Sequence, residues 1–264
     1  MTVTENVLQH EPVEIEERAE GLGSARLDRS LVNILLTAVI GGGEVSIGVL
    51  ASMAVLGAIL EVAPDVNLYV PLALAGLVFP IGFIFVILGR SELFTENFLI
   101  PVVSTLRTER GPAPLAKLWV VSCLGNMIGC GGIAALLLVP EALGEPIRQG
   151  YAAYTNYKLG LPLYAVFVSA LLAGGVMTTL TWALVSVEHT VARILVIGAG
   201  GYVLMAANLS HSIVSASALL VGFGSTPHSL TEVVDFLIVA IVGNLIGGVG
   251  FVTLFRFAQA RQQE

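Results

Sequence analysis

The chain has 264 residues, of which 56% are hydrophobic and 12% are charged, and its formal net charge is −7. Soluble domains carry about twice that fraction of charged residues, so the composition excludes an ordinary water-soluble domain and indicates a membrane protein. The acidic balance and the lack of a basic stripe in the sequence exclude a nucleic-acid-binding protein.

Six apolar runs have about the length that crosses a bilayer as a helix, roughly 20 residues. They are predicted at 31–60, 70–88, 118–139, 163–187, 191–221 and 233–257. The segment 140–160 is interpreted as a long polar loop. The domain organisation follows from these runs: an acidic cytoplasmic tail at 1–29 with a short amphipathic helix near 13–27, a six-helix channel domain at 30–258, and a short cytoplasmic tail at 259–264.

Two of these runs are interrupted by polar residues, the second at 89–92 and the fifth at 208–212. The string 125–132 returns almost unchanged at 243–250, an offset of 118 that also places 92–97 on 210–215. Internal repeats with broken helices are typical of transporters, whose sites lie where the halves meet. We therefore predict an all-α membrane protein with six transmembrane helices in two inverted three-helix repeats, with helices 2 and 5 broken. Asn126 and Asn244, equivalent in the repeat, are expected to hydrogen-bond between helices.

The distribution of lysine and arginine predicts the orientation, because cytoplasmic loops are enriched in both. With six spans, one side receives nine of them and the other only Arg148 and Lys158. Both termini are therefore expected in the cytoplasm, and the protein is expected to be a multi-pass protein of the plasma or inner membrane.

His211 lies in the fifth-span interruption, and an ionisable residue at membrane depth is by default a functional candidate. A small anion pays on the order of tens of kcal/mol to enter a low-dielectric wall in the Born limit. Histidine changes its charge near neutral pH, so it could attract such an anion and lend it a proton. A satisfied core histidine is the alternative. Thr95 is interpreted as a hydrogen-bonding partner or a helix cap, and Glu44, a carboxylate in the first span, as functional or structural with equal weight.

The string Ser91-Glu92-Leu93-Phe94-Thr95-Glu96-Asn97 closely resembles the loop signature of the formate/nitrite transporter family. Leu209-Ser210-His211-Ser212-Ile213 resembles that family's second break with its central histidine, and Thr181-Trp182 stands in the place of its Asn-Trp motif. The resemblance covers about residues 30 to 260. It implies an aquaporin-like fold and a homopentamer in the lipid bilayer with one pore per protomer. It also implies transport of a small monovalent weak-acid anion, possible proton coupling through the histidine, and no cofactor or metal.

The resemblance also assigns residues to the substrate pathway. Thr95 and His211 would face each other at the centre of the pore, with Phe79, Phe83 and Leu204 as apolar constrictions. The remaining assigned residues are Leu93, which would line the passage, Thr181, and the two departures Ser210 and Ser215, which stand where the family has Glu and Asn.

Other function classes stay open. A neutral-solute pore of the water or glycerol type normally has paired Asn-Pro-Ala boxes, which this sequence lacks. A non-conducting membrane scaffold would carry its motifs in the tails, and the tails here are short. An enzyme is not expected, because the sequence has no metal-ligand pattern, activated nucleophile or phosphate-binding loop.

Overall fold

The computed structural model describes residues 11–108 and 110–262, so residues 1–10 and 263–264 of the predicted tails lie outside the described residues. The described chain consists of helices and the turns between them. The α-helices are α1 Pro12–Leu27, α2 Leu31–Val62, α3 Tyr69–Ala75, α4 Pro80–Gly89, α5 Ile100–Arg107, α6 Ala113–Leu137, α7 Glu145–Leu159, α8 Leu163–Ser186, α9 Thr190–Ala206, α10 Ser212–Gly222, α11 Leu230–Leu245 and α12 Leu254–Arg261. Short 3₁₀ turns occupy Phe94–Phe98 and Phe223–Ser225, and a π-helical stretch, Ile246–Thr253, joins α11 to α12.

Five helical segments of the described chain are long and apolar enough to cross a membrane. They are Leu31–Val62, Tyr69–Gly89, Ala113–Leu137, Leu163–Ser186 and Leu230–Arg261. The run predicted at 191–221 appears instead as two shorter apolar helices, α9 and α10, separated by residues 207–211. After α4, the chain passes through an extended stretch and the 94–98 turn before α5.

The interpretation of 140–160 as a polar loop is wrong for the second part of this segment. Glu145–Leu159 is a helix that packs against α2 and α10. Its buried side includes Tyr151, Tyr154, Thr155 and Lys158. These positions follow the i, i+3, i+4, i+7 spacing of one helix face. Two tyrosines, a threonine and a lysine do not form the apolar stripe that normally marks such a face, so the composition concealed the helix.

The helices approach each other closely where glycines face backbone. A Cβ on Gly82 of α4 would lie 2.7 Å from the carbonyl oxygen of Glu44 and 3.0 Å from the amide nitrogen of Gly48 in α2. Small residues at such crossings are typical of membrane helix pairs, because packing and polar contacts rather than the hydrophobic effect hold helices together in lipid.

The helix expected near 13–27 is present as α1, and it packs against α5. Ile15 and Ala19 of α1 form a buried cluster with Leu99, Ile100 and Val103. The membrane-proximal part of the predicted tail is therefore an integral part of the packed bundle.

Candidate functional site

The structure brings the two polar interruptions together. Thr95 lies in the 94–98 turn and His211 caps the N-terminus of α10, and both are fully buried. The hydroxyl oxygen Oγ1 of Thr95 is 2.8 Å from Nε2 of His211, although the two residues are 116 positions apart in the chain.

The second ring nitrogen of His211 determines which atom donates in this pair. Nδ1 accepts a hydrogen bond from the backbone N–H of Val214 at 3.2 Å, so it carries no proton. A neutral imidazole then has its proton on Nε2, and Nε2–H donates to the Thr95 oxygen. The hydroxyl proton of Thr95 is left to donate elsewhere. The pair therefore presents one oriented O–H donor in a buried place.

Two asparagines hold the interruptions in position, with equivalent contacts. The side-chain oxygen of Asn126 accepts from the amide of Phe94 at 2.8 Å, and its nitrogen donates to the carbonyls of Ala38 and Glu92, both at 2.8 Å. The bonds to Phe94 and Glu92 satisfy backbone groups at the first interruption, and the bond to Ala38 ties the asparagine to α2.

Asn244 repeats this arrangement around the second interruption. Its oxygen accepts from the amide of Ser212 at 2.8 Å, and its nitrogen donates to the carbonyls of Ala170 and Ser210 at 2.9 and 3.0 Å. The amides and carbonyls at the two breaks are 118 positions apart, which is the offset seen in the sequence. The asparagines thus bond between helices, and each one also fixes the backbone next to Thr95 or His211.

Apolar side chains surround the Thr95–His211 pair. The rings of Phe79 and Phe83 meet edge to face with centroids 4.9 Å apart, and the Phe83 ring is 6.0 Å from the imidazole. Leu93 and Leu204 are buried in the same hydrophobic cluster as the two phenylalanines. Four of the residues assigned to constrictions or lining therefore belong to one buried apolar cluster, and the ring of one of them, Phe83, faces the histidine.

The three remaining assigned residues lie further from the Thr95 hydroxyl or show no direct bond to it. Ser210 and Ser215 are buried and flank His211 along the chain, and the Ser210 hydroxyl has no hydrogen-bond partner among the described residues. The hydroxyl of Thr181 donates to the carbonyl of Met177 at 2.9 Å within α8, and Thr181 lines a vestibule instead of the central pair.

That vestibule, which we call the arginine vestibule, has a volume of about 820 Å³. Its wall includes Glu92 and Glu96, on either side of Thr95 in the chain. The charged residues that line it are Arg18, Arg26, Arg29, Arg90, Arg193, Glu92, Glu96 and Glu188. Five arginines against three glutamates leave it net positive.

Buried ion pairs join α1 to the first interruption. Arg29 and Arg26 both pair with Glu92, and Arg26 also donates to the side-chain oxygen of Asn97 at 3.0 Å. The partners of Glu92 are thus Arg26 near the end of α1 and Arg29 in the turn before α2. They could not be recognised from the sequence, because 63 to 66 positions separate them from Glu92.

Lys158 is the principal residue that sequence reasoning missed. It is fully buried on α7, and its ammonium donates to the carbonyl oxygen of Asn208 at 2.6 Å, in the second interruption. Burial lowers the pKa of Lys158 to about 7, because the charged form loses its hydration. The side chain of Asn208, at φ 51°, has no partner among the described residues.

Comparison with known proteins gives one matching family model, related sequences and solved structures with a similar fold. A sequence model described as formate/nitrite transporter matches residues 13–258. The inner membrane protein YfdC of Escherichia coli is 26% identical, over 98% of this chain and 82% of its own length. A solved FNT family ion channel superposes with a TM-score of 0.79 at 17% identity, over 93% of this chain and 98% of its own. A pentameric formate channel with formate bound gives 0.72 at 18%, over 87% and 97%.

Proposed function

The chain belongs to the formate/nitrite transporter family, and we propose that it moves small monovalent weak-acid anions across the membrane. Membership confirms the resemblance that the Ser91–Asn97 string indicated. It also makes the chain a multi-pass membrane protein related to channels and transporters rather than to enzymes.

The proposal includes the architecture in which transport takes place. Six spans in two inverted repeats, with the second and fifth broken, agree with the equivalent roles of Asn126 and Asn244 and with the Thr95–His211 contact between the two breaks. A pentameric relative supports five protomers, each with its own aquaporin-like pore. The excess of basic residues on one side supports cytoplasmic termini, so the arginine vestibule is proposed to open to the cytoplasm.

The observation that carries the proposal is the hydrogen bond from His211 to Thr95. It leaves the Thr95 hydroxyl as a donor inside a wall of Phe79, Phe83, Leu93 and Leu204. An anion that reaches this point finds the Thr95 hydroxyl as a donor whose oxygen is held by the imidazole. Hydrogen bonds to charged groups contribute about 1.5–3 kcal/mol, which lowers but does not remove the cost of a charge in an apolar wall.

Positive charge on both sides of the central pair supports entry of an anion. The arginine vestibule is net positive on one side. On the other, Lys158 touches the second interruption through Asn208. An anion held by Thr95 that then accepts a proton from the aqueous side loses its charge before it crosses the rest of the apolar wall, which removes most of the Born cost.

The geometry gives His211 a narrower role than that of a proton donor. Its Nδ1 is held by the Val214 amide, so a proton released from Nε2 cannot be replaced at Nδ1 unless that contact opens. We propose that His211 orients Thr95 and keeps its proton, and that the proton neutralising the anion comes from the aqueous side.

The test is uptake by proteoliposomes of formate, nitrite, hydrosulfide and lactate, each with and without an inward proton gradient. At least one anion should be taken up, faster when the outside is acidic. His211→Phe should abolish uptake, while His211→Gln, which keeps an N–H donor, should retain part of it with the same pH dependence. His228→Gln is the control, because His228 lies in the loop before α11 and pairs with Glu232 in the first turn of that helix.

Glycerol swelling of the same vesicles separates a neutral-solute pore from an anion pathway. Swelling without uptake of any anion would overturn the proposal in favour of a neutral-solute pore. No flux of either kind would favour the non-conducting scaffold. Uptake that His211→Phe leaves unchanged would refute the role given to the histidine.

A further inference from the structure

Glu44 of α2 is a carboxylate at membrane depth that the proposed pathway does not use. Its Oε2 is buried and has no hydrogen-bond partner among the described residues. Its Oε1 lies 3.2 Å from the point where a Cβ on Gly89 would stand, so the carboxylate sits beside the end of α4. Glu44 as a whole is half-buried, and Oε2 is its enclosed oxygen, so Oε1 is the atom left for a group outside the protomer.

The surroundings of Glu44 form an apolar outer face, which we call the Glu44 face. It is built by α2 and α4, and its exposed hydrophobic side chains are Ile40, Ile47, Ile81, Phe85 and Leu88. Lipid can cover these side chains but offers a carboxylate no hydrogen bond, and ionisable residues in spans almost always face protein or water. A protein surface is therefore the covering that suits this face.

A groove on the opposite repeat has the complementary properties. It lies between α8, α9 and the π-helical stretch, has a volume of about 730 Å³, and is lined almost entirely by apolar side chains such as Leu172, Val176 and Val203. Its one polar lining residue is Thr179, which is exposed. The Thr179 hydroxyl forms no hydrogen bond within the described part of the chain, so an apolar groove holds an unused donor.

The internal repeat relates the two surfaces. Ala38 and Ala170 accept from the equivalent asparagines and are 132 positions apart, and the same offset carries Glu44 onto Val176 in the groove. The offset of 118 carries Phe85 of α4 onto Val203 of α9, also in the groove. A ring of identical subunits requires two different surfaces that fit each other, and the two repeats of this chain supply such a pair.

The depth of the two groups in the membrane also agrees. A ring axis along the membrane normal preserves height, so only groups at the same depth can meet between protomers. Val86, Leu88 and Arg90 at the end of α4 line the arginine vestibule together with Thr181 of α8. The Glu44 carboxylate lies beside Gly89, and Thr179 is two residues, about 3 Å, along α8 from Thr181. Both groups therefore belong to the level of the vestibule.

We propose that the Glu44 face of one protomer packs into this groove of the next, and that Glu44 accepts a hydrogen bond from Thr179 of the partner subunit. The inference rests on the homopentamer included in the proposed function, and it adds the two surfaces and the polar contact that fixes their register.

Cysteine cross-linking tests the contact without depending on anion flux. In a background with Cys123→Ser and Cys130→Ala, the double variant Glu44→Cys/Thr179→Cys is treated in its membrane with a short bifunctional thiol reagent. We expect a ladder of products up to the pentamer, and none from either single variant, because the contact joins different surfaces. Leu124→Cys with Thr179→Cys is the control, since Leu124 is exposed on α6, away from both surfaces.

Native mass spectrometry of Glu44→Leu and Glu44→Gln measures the polar contact itself. Glu44→Leu should lower the temperature at which the pentamer dissociates, whereas Glu44→Gln, which keeps an acceptor oxygen, should retain most of it. Thr179→Val should add little to Glu44→Leu, because both remove the same bond. An intact pentamer without the cross-linked ladder would overturn the inference, while a failed uptake assay with the ladder present would overturn only the transport proposal.

Discussion

Replacing Thr95 by valine isolates the donor on which the proposed pathway depends. Valine has nearly the same shape, so the change removes the hydroxyl and little else. The structure gives two consequences: an entering anion loses the O–H donor, and the Nε2–H of His211 loses its acceptor at 2.8 Å.

The magnitude follows from the charge of the substrate. A hydrogen bond to a charged group contributes about 1.5–3 kcal/mol, and each 1.36 kcal/mol of barrier is about tenfold in rate. Thr95→Val should therefore slow anion uptake by about 10- to 150-fold. Thr95→Ser keeps the hydroxyl and should restore most of the rate.

The assay is the initial rate of uptake of the preferred anion into proteoliposomes at fixed pH and matched protein content. Thr105→Val is the matched control, because the Thr105 hydroxyl is bonded to the carbonyl of Pro101 within α5. If Thr95→Val transports as fast as the unmodified protein, the hydroxyl does not stabilise the anion. If Thr95→Ser is as slow as Thr95→Val, shape rather than hydrogen bonding is the cause.

Three further predictions concern the charge of Lys158, the support of the second interruption by Asn244, and the close packing of α4 against α2 at Gly82. Because the pKa of Lys158 is lowered to about 7, its positive charge is present below that pH and lost above it. Uptake should rise more steeply as pH falls through 7 than protonation of the anion alone requires; this extra rise should be lost in Lys158→Met, and an unchanged pH profile in that variant would contradict the role. Asn244→Leu leaves the Ser212 amide and the Ser210 carbonyl at the second interruption, and the Ala170 carbonyl in α8, without their partner. At about 0.6–2 kcal/mol per bond in membranes, the loss should be about 2–6 kcal/mol, seen as a lower melting temperature, and an unchanged melting temperature would show that water replaces the amide. Gly82→Ala places a methyl group 2.7 Å from a carbonyl oxygen of α2 and should lower the melting temperature, whereas Gly131→Ala, with no atom within 4 Å, should not; equal effects would refute the close packing.

Sequence periodicity and polarity were sufficient for the parts of the fold that depend on local pattern. Five of the long apolar runs appear in the described chain as helical segments that are long and apolar enough to cross a membrane, since a span needs about 20 apolar residues. The polar residues within 92–97 and 208–212 indicated the positions of the two interruptions, and the offset of 118 in the internal repeat indicated that the two are equivalent. That offset also singled out Asn126 and Asn244 before their contacts were known.

The features of the site that could not be predicted from the sequence depend on contacts between residues far apart in the chain. Lys158 stood in a segment whose polarity suggested a loop, and only the packing of α7 against α2 and α10 places it beside Asn208. The same holds for Arg26 and Arg29, whose pairing with Glu92 follows from the way α1 folds back on the bundle. The tautomer of His211 was also inaccessible, since it depends on the backbone amide of Val214.

The asparagine contacts have a consequence for how a solute would pass. Each one ties the irregular chain beside Thr95 or His211 to a carbonyl of another long helix, Ala38 for the first and Ala170 for the second. The asparagine hydrogen bonds thus compensate the energetic cost of interrupting a helix inside a bilayer when the protein folds, and the cost does not recur each time a solute passes. A solute would then meet a framework that stays still while side chains rotate, so the rate should vary only weakly with temperature.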